Sequence, residues 1–288
     1  MVRLLRILTA FVLLTAMAGA VGVWIGIPYL EHRWTYFPEK SAHAERWHMP
    51  ADAEEVAFFT SDGVRLVGWF FGGKAPRNGI AVLHFHGNEG VLPDYLTEVQ
   101  ILQGFGFDVL MFNYRGFDKS AGTTLGEATL HVDSAAALRY LTQERGMDPH
   151  AVALLGISLG AAVAADLAAS SPCRAVALVA GFTSAKQQAA RMGTWSSRRW
   201  LPDFLLDLLS SPLDTVGKIG KANCPVAIVQ GEKDEFVPFE QASALYRAAR
   251  PPKQLIIVPG AAHGMPVSPG PDGRRYLREL ASFFIEGR

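Results

Sequence analysis

The chain has 288 residues, of which 49% are hydrophobic, enough for one sizeable packed core and too many for a disordered chain. Lysine plus arginine balance aspartate plus glutamate at 27 each, so no general positive field exists to draw in nucleic acid. The two cysteines, Cys173 and Cys224, are far apart and lack C-x-x-C spacing, which argues against a clustered-thiol zinc or redox motif. No cofactor and no metal is expected.

In chain order, Ile7 to Leu30 is an uncharged stretch of 24 residues preceded by Arg3 and Arg6, long enough to span a bilayer. Residues 1–30 are therefore expected to be a single-pass membrane anchor with a cytoplasmic N-terminus, leaving the folded body on the non-cytoplasmic side. The alternative is a cleaved signal peptide ending at Ala18-Gly19-Ala20; the apolar run continues to Ile27 and favours retention. Residues 31–53 read as a juxtamembrane connector, and residues 54–288 as one folded domain.

Within that domain β-rich runs alternate with helix-length segments, the pattern of a mostly parallel sheet with helices on both faces. Eight strands are expected: Glu55–Phe59, Val64–Phe71, Ile80–Phe85, Val109–Asn113, Val152–Leu155, Ala175–Val179, Val226–Val229 and Gln254–Val258. Ser61-Asp62-Gly63 predicts an antiparallel hairpin between the first two. Helices are expected over Tyr95–Gln103, Leu125–Glu144, Ala161–Ser170, Phe239–Ala249 and Arg274–Glu286. In the second of these, Leu125, Ala128, Val132, Ala135 and Ala136 fall on one face, with Leu138 to one side.

The sharpest local signal is Gly156-Ile157-Ser158-Leu159-Gly160, directly after an apolar strand and directly before an alanine-rich helix. A turn this tight needs glycine on both flanks, and it lifts a serine hydroxyl clear of the sheet at a helix N-terminus. Ser158 is the candidate nucleophile. A serine needs a base, and the base an orienting acid, which in this arrangement follow in the order Ser, acid, His. Asp234, in Gly231-Glu232-Lys233-Asp234 beyond the strand Val226–Val229, is the candidate acid, with Glu232 and Glu235 as competitors. His263 is the one histidine after Asp234 and the candidate base. The oxyanion formed in acyl transfer needs backbone donors: Leu159 supplies the first, and Asn88, with Gly87 as alternative, the second. His86, beside them, reads as a histidine that ties its loop together.

With these residues the chain resembles the α/β-hydrolases. More narrowly it is similar to the bud-emergence-type group of membrane-anchored α/β-hydrolase-domain proteins, through His86-Gly87-Asn88, Asn113-Tyr114-Arg115-Gly116, the elbow at Ser158, Gly231 to Asp234 with Val237-Pro238, His263 and Tyr36-Phe37-Pro38. The resemblance implies an α/β-hydrolase fold with a short lid, and a serine esterase or lipase-like activity without a cofactor. Two departures fall on loops facing the substrate: Glu89-Gly90-Val91-Leu92-Pro93 replaces a run of small residues, and Asp118 stands where glycine is common.

The expected substrate is a small-molecule or lipid-like ester. Leu201, Phe204, Leu205, Leu208 and Leu209, near Trp195 and Trp200, are spaced as one apolar helical face, read first as core-facing and otherwise as an acyl-chain wall. Arg115 reads as a loop-pinning residue, with an anionic substrate group as the alternative. Cys173 and Cys224 each precede a strand; free buried thiols are expected, although a disulfide is geometrically conceivable. Amide or thioester hydrolysis by the same triad, and a catalytically silent membrane-tethered binding module, remain alternatives. Oligomeric state is not legible.

Overall fold

The computed structural model describes residues 2–35, 49–74, 76–88, 90–124, 126–195, 212–263 and 271–287. After helix α1 (Val2–Thr35) come β1 (Ala53–Phe59), β2 (Arg65–Phe71), β3 (Ala81–Phe85), α2 (Leu96–Gly104), β4 (Asp108–Asn113), α3 (Glu127–Arg139), β5 (Val152–Ile157), α4 (Leu159–Ser170) and β6 (Ala175–Val179). Helices α5 (Ala185–Trp195) and α6 (Thr215–Ile219) follow, then β7 (Val226–Gly231), α7 (Phe239–Ala248), β8 (Lys253–Val258) and α8 (Pro271–Glu286).

The strands form one eight-stranded sheet in the order β1-β2-β4-β3-β5-β6-β7-β8. β1 and β2 make the expected antiparallel hairpin, and β2 runs antiparallel to β4. The other five pairings are parallel. Alternation along each strand sends side chains to two cores. Leu83, Phe85, Leu110, Phe112, Leu154 and Ile228 pack beneath α3, α4, α6 and α7. Val82, Val109, Met111, Leu155 and Val229 pack beneath α2 and α8. A sheet covered on both faces buries continuous apolar strands, which is why β3 to β7 read as unbroken hydrophobic runs.

Three readings need correction. Ile7–Leu30 lies within α1, but among the described residues no helix is long and apolar enough to cross a membrane. The transmembrane helix is therefore not supported. On α3 the buried side chains are Leu130, Asp133, Ser134, Ala136, Ala137 and Leu138, whereas Ala128 is exposed and Val132 and Ala135 are half-buried. The apolar stripe misses the true inner face because Asp133 sits on it, bonded to Arg115. Finally, α5 was not expected. Leu201, Phe204, Leu205, Leu208 and Leu209, read as a helical face, lie outside the described residues, as do Trp200 and the side chain of Trp195.

Cys173 and Cys224 are free and buried, with their sulfurs 2.8 Å apart at the entry to β6 and β7.

Candidate active site

β5 ends at Ile157, and the chain turns through Ser158 straight into α4. Ser158 has φ 53° and ψ −111°, a conformation costly for an L-residue and stored at functional sites. The turn is locked by the Ser158 amide, which donates to the Val179 carbonyl at 2.9 Å, and by the Ser158 carbonyl, which accepts from Ala161 at 3.0 Å. The flanking glycines are steric requirements. A Cβ on Gly156 would lie 2.1 Å from the Gly160 carbonyl oxygen, and one on Gly160 2.1 Å from that of Phe85 and 2.7 Å from that of His86. The start of α4 thus presses directly on the end of β3, and the amide of Leu159 begins a helix whose first N–H groups have no intrahelical acceptor.

Three loops at the carboxyl ends of the strands meet here. The hydroxyl of Ser158 lies 3.2 Å from His263 Nε2, and His263 Nδ1 lies 2.9 Å from Asp234 Oδ2. The Asp234 side chain is fully buried and that of His263 partly exposed. Every acceptor direction of the Asp234 carboxylate is used. Oδ1 accepts the amides of Phe236 at 2.9 Å and Val237 at 2.8 Å, and Oδ2 accepts Gln230 Nε2 at 3.1 Å as well as the imidazole. The competing acids are on the surface; Glu232 accepts the Gly260 amide at 2.7 Å and Glu235 is exposed.

Sequence reasoning missed two residues of this set. Gln230, buried at the end of β7, also donates to the Val237 carbonyl at 2.7 Å and so closes the acid loop. The Phe236 ring stacks on His263, with centroids 5.2 Å apart and planes 24° apart. Neither carries a motif; both are found only once the loop is folded.

On the β3 side, the 3₁₀ turn Leu92–Tyr95 gives a definite shape to the segment that departs from the family pattern. It is held by Asp94, which accepts the Val91 amide at 2.9 Å, and it delivers the Tyr95 hydroxyl to the Gly87 amide at 3.0 Å. Gly87 is buried and committed, whereas Asn88 is half-buried. His86 behaves as a loop tie. Its Nδ1 donates to the Gly87 carbonyl at 2.7 Å, its carbonyl accepts the Tyr114 hydroxyl at 3.1 Å, and its ring lies 4.3 Å from that of Tyr114. Burial holds its imidazole down to about 3, so it stays neutral at ordinary pH and is occupied with structure.

Arg115 is likewise occupied. Its guanidinium binds Asp62 at 2.7 and 3.1 Å and Asp133 at 2.8 Å, and its amide donates to Asp133 at 2.9 Å. It fastens the β1–β2 hairpin and the loop after β4 to α3, and it holds the Asp62 carboxyl far below the usual carboxylate range. Asp118 adopts φ 42°, the left-handed region that glycine enters freely and aspartate tolerates, which accounts for glycine being common there. A cavity of 530 Å³ near Asp52, Phe70, Arg77 and Arg145 opens at the opposite pole, where Asp108 starts β4. Its arginines are paired, Arg77 with Asp108 and Arg145 with Glu54.

The prolyl oligopeptidase family profile (Peptidase_S9) matches residues 93–286. An uncharacterized protein of Mycobacterium tuberculosis is 33% identical over 267 residues, which cover 93% of this chain and 92% of that protein. Protein bem46 of Schizosaccharomyces pombe is 27% identical over 275 residues, 91% of this chain and 88% of that one. Among solved structures, an esterase of Pyrococcus furiosus superposes with a TM-score of 0.67 at 20% identity, covering 88% of this chain and 94% of its own, a likeness of fold.

Proposed function

The chain belongs to the prolyl oligopeptidase family, within the α/β-hydrolase superfamily, and we propose that it is a serine hydrolase that cleaves a carboxylic ester through an acyl-enzyme on Ser158. The observation that carries this reading is the hydrogen-bonded chain from Ser158 through His263 to Asp234.

In the reaction, His263 Nε2 takes the proton of the Ser158 hydroxyl as its oxygen attacks the substrate carbonyl. Asp234, held by Phe236, Val237 and Gln230, keeps the imidazole in the tautomer with the proton on Nδ1 and stabilises the imidazolium that forms. The negative charge that develops on the carbonyl oxygen is met by the amides of Leu159 and Asn88. Gly87 is spent on Tyr95, which favours Asn88 over its neighbour. His263 then protonates the departing alcohol, and the same imidazole activates the water that frees Ser158.

The preferred substrate is a hydrophobic, acyl-lipid-like ester met at a membrane. This rests on α1, whose Leu8, Phe11, Leu13 and Met17 are all exposed and whose Thr15 hydroxyl is satisfied inside the helix by the Phe11 and Val12 carbonyls, both at 2.9 Å. Such a surface seeks lipid, and on this reading α1 lays the chain against a membrane without crossing it. A second reading, hydrolysis of an amide by the same triad, is favoured by the peptidase family to which the chain belongs. Rates on p-nitrophenyl esters of increasing acyl length, beside a proline-containing peptide amide, separate the two. Equal turnover of short and long esters contradicts the hydrophobic preference, and cleavage of the peptide alone selects the amide.

A further inference from the structure

We propose that Phe236 is a positioning residue for the base, holding the His263 imidazole in line with Ser158 through its ring and favouring the protonated imidazole. The inference rests on the reading of Ser158 and His263 as nucleophile and base.

Phe236 touches both members of the acid and base pair. The Phe236 amide donates to Asp234 Oδ1 at 2.9 Å, and its ring lies nearly parallel to the imidazole at 5.2 Å. Its carbonyl accepts Gln188 Nε2 of α5 at 3.1 Å. Gln188 is in turn held by Gln241 Nε2 at 3.0 Å, and the other end of that amide accepts the Thr183 amide at 2.8 Å. The main chain at Phe236 is thus fixed from two sides, which gives the ring a defined place over His263.

Core packing does not account for the ring, because Phe236 remains 38% exposed. Its chemistry does. The face of an aromatic ring is electronegative, and a cation within about 6 Å of its centroid is attracted to it. The imidazole becomes such a cation when it takes the serine proton, so the stack gains strength as the reaction proceeds.

Among the described residues, the charged groups around His263 are these. Asp234 is bonded to it, Glu232 accepts the Gly260 amide, and Lys233 donates its own amide to Ala261. Arg191 of α5 donates to the Glu235 carbonyl at 3.3 Å, and the Glu235 side chain is exposed. None of these bonds runs through the Phe236 ring, so a shift in pH dependence on changing it reports on the stack.

The test compares the native chain with Phe236→Leu and Phe236→Tyr in detergent, by fluorophosphonate labelling of Ser158 and by hydrolysis of p-nitrophenyl butyrate from about pH 5 to 9. In Phe236→Leu, kcat falls roughly tenfold while KM stays within about twofold, as expected when orientation rather than binding is lost. The acidic limb of kcat/KM moves down by about half a pH unit, the size of an exposed cation–π contact. Phe236→Tyr restores both. A Phe236→Leu enzyme with native kcat and an unmoved limb overturns the proposal, as does a lower kcat with an unmoved limb that tyrosine fails to rescue. A native chain that takes no label overturns the underlying serine-hydrolase reading, a result distinct from both.

Discussion

The amide of Gly87 donates to the hydroxyl of Tyr95 at 3.0 Å. On the proposed mechanism, this bond removes Gly87 from service and leaves the amide of Asn88 as the oxyanion donor on the β3 loop. Because the main chain and not the side chain is used, Asn88→Ala keeps esterase activity close to native. Asn88→Pro, which deletes the N–H, lowers kcat on the order of 100-fold, the usual cost of one oxyanion donor. Comparable losses in the two variants contradict the assignment.

The acid loop makes a sharp prediction about which carboxylate matters. Asp234→Asn places an amide where the carboxylate accepts four bonds, turns the imidazole to the wrong tautomer and lowers kcat by roughly 10³- to 10⁴-fold. Glu232→Gln and Glu235→Gln leave kcat near native, since both side chains are exposed. Steady-state kinetics on one ester settles the comparison.

His86 ties stability to pH. Burial holds its imidazole down to about 3 in the folded chain, against about 6.5 when unfolded. Between these values the unfolded chain binds a proton that the folded chain refuses, so stability is complete above about pH 6.5 and falls as pH drops towards 3. From this group alone the slope approaches about 1.4 kcal/mol per pH unit. Urea unfolding at a series of pH values shows a shallower acid loss in His86→Gln than in the native chain; identical slopes rule out this source.

Arg115 is a stability residue. Its removal in Arg115→Ala leaves Asp133, wholly buried on α3, without its cation. The chain loses about 3 kcal/mol of unfolding free energy, and KM for an ester is unchanged. A variant of native stability with a raised KM assigns Arg115 to the substrate instead.

The distribution of these roles shows where sequence reasoning reaches. Strands β3 to β7 were legible because a doubly covered sheet demands apolar runs, and Ala175–Val179 matches β6 end to end. Ser158, Asp234 and His263 could be picked out because the elbow is a local steric object and the order of its partners limits the choices. What escaped depends on long-range contact. The inner face of α3 was misread because a buried aspartate interrupts its apolar stripe, and nothing local announces that Arg115, 18 residues earlier, neutralises it. The links of Gly87 to Tyr95, Gln230 to Asp234 and Phe236 to His263 leave no spacing pattern, since each is set by how loops land on one another. Helix α5 escaped for a related reason: its interior is mostly polar, and Gln188 and Arg191 bond to the acid loop rather than to neighbours in sequence.

Each of these predictions about turnover depends on an activated serine at the end of β5. The most direct measurement is fluorophosphonate labelling of the detergent-solubilised chain beside Ser158→Ala and His263→Ala, each checked for folding by circular dichroism. The account predicts labelling of the native chain and its loss in both variants. A well-folded native chain that takes no label, or a His263→Ala variant that labels as fast as the native one, would contradict it.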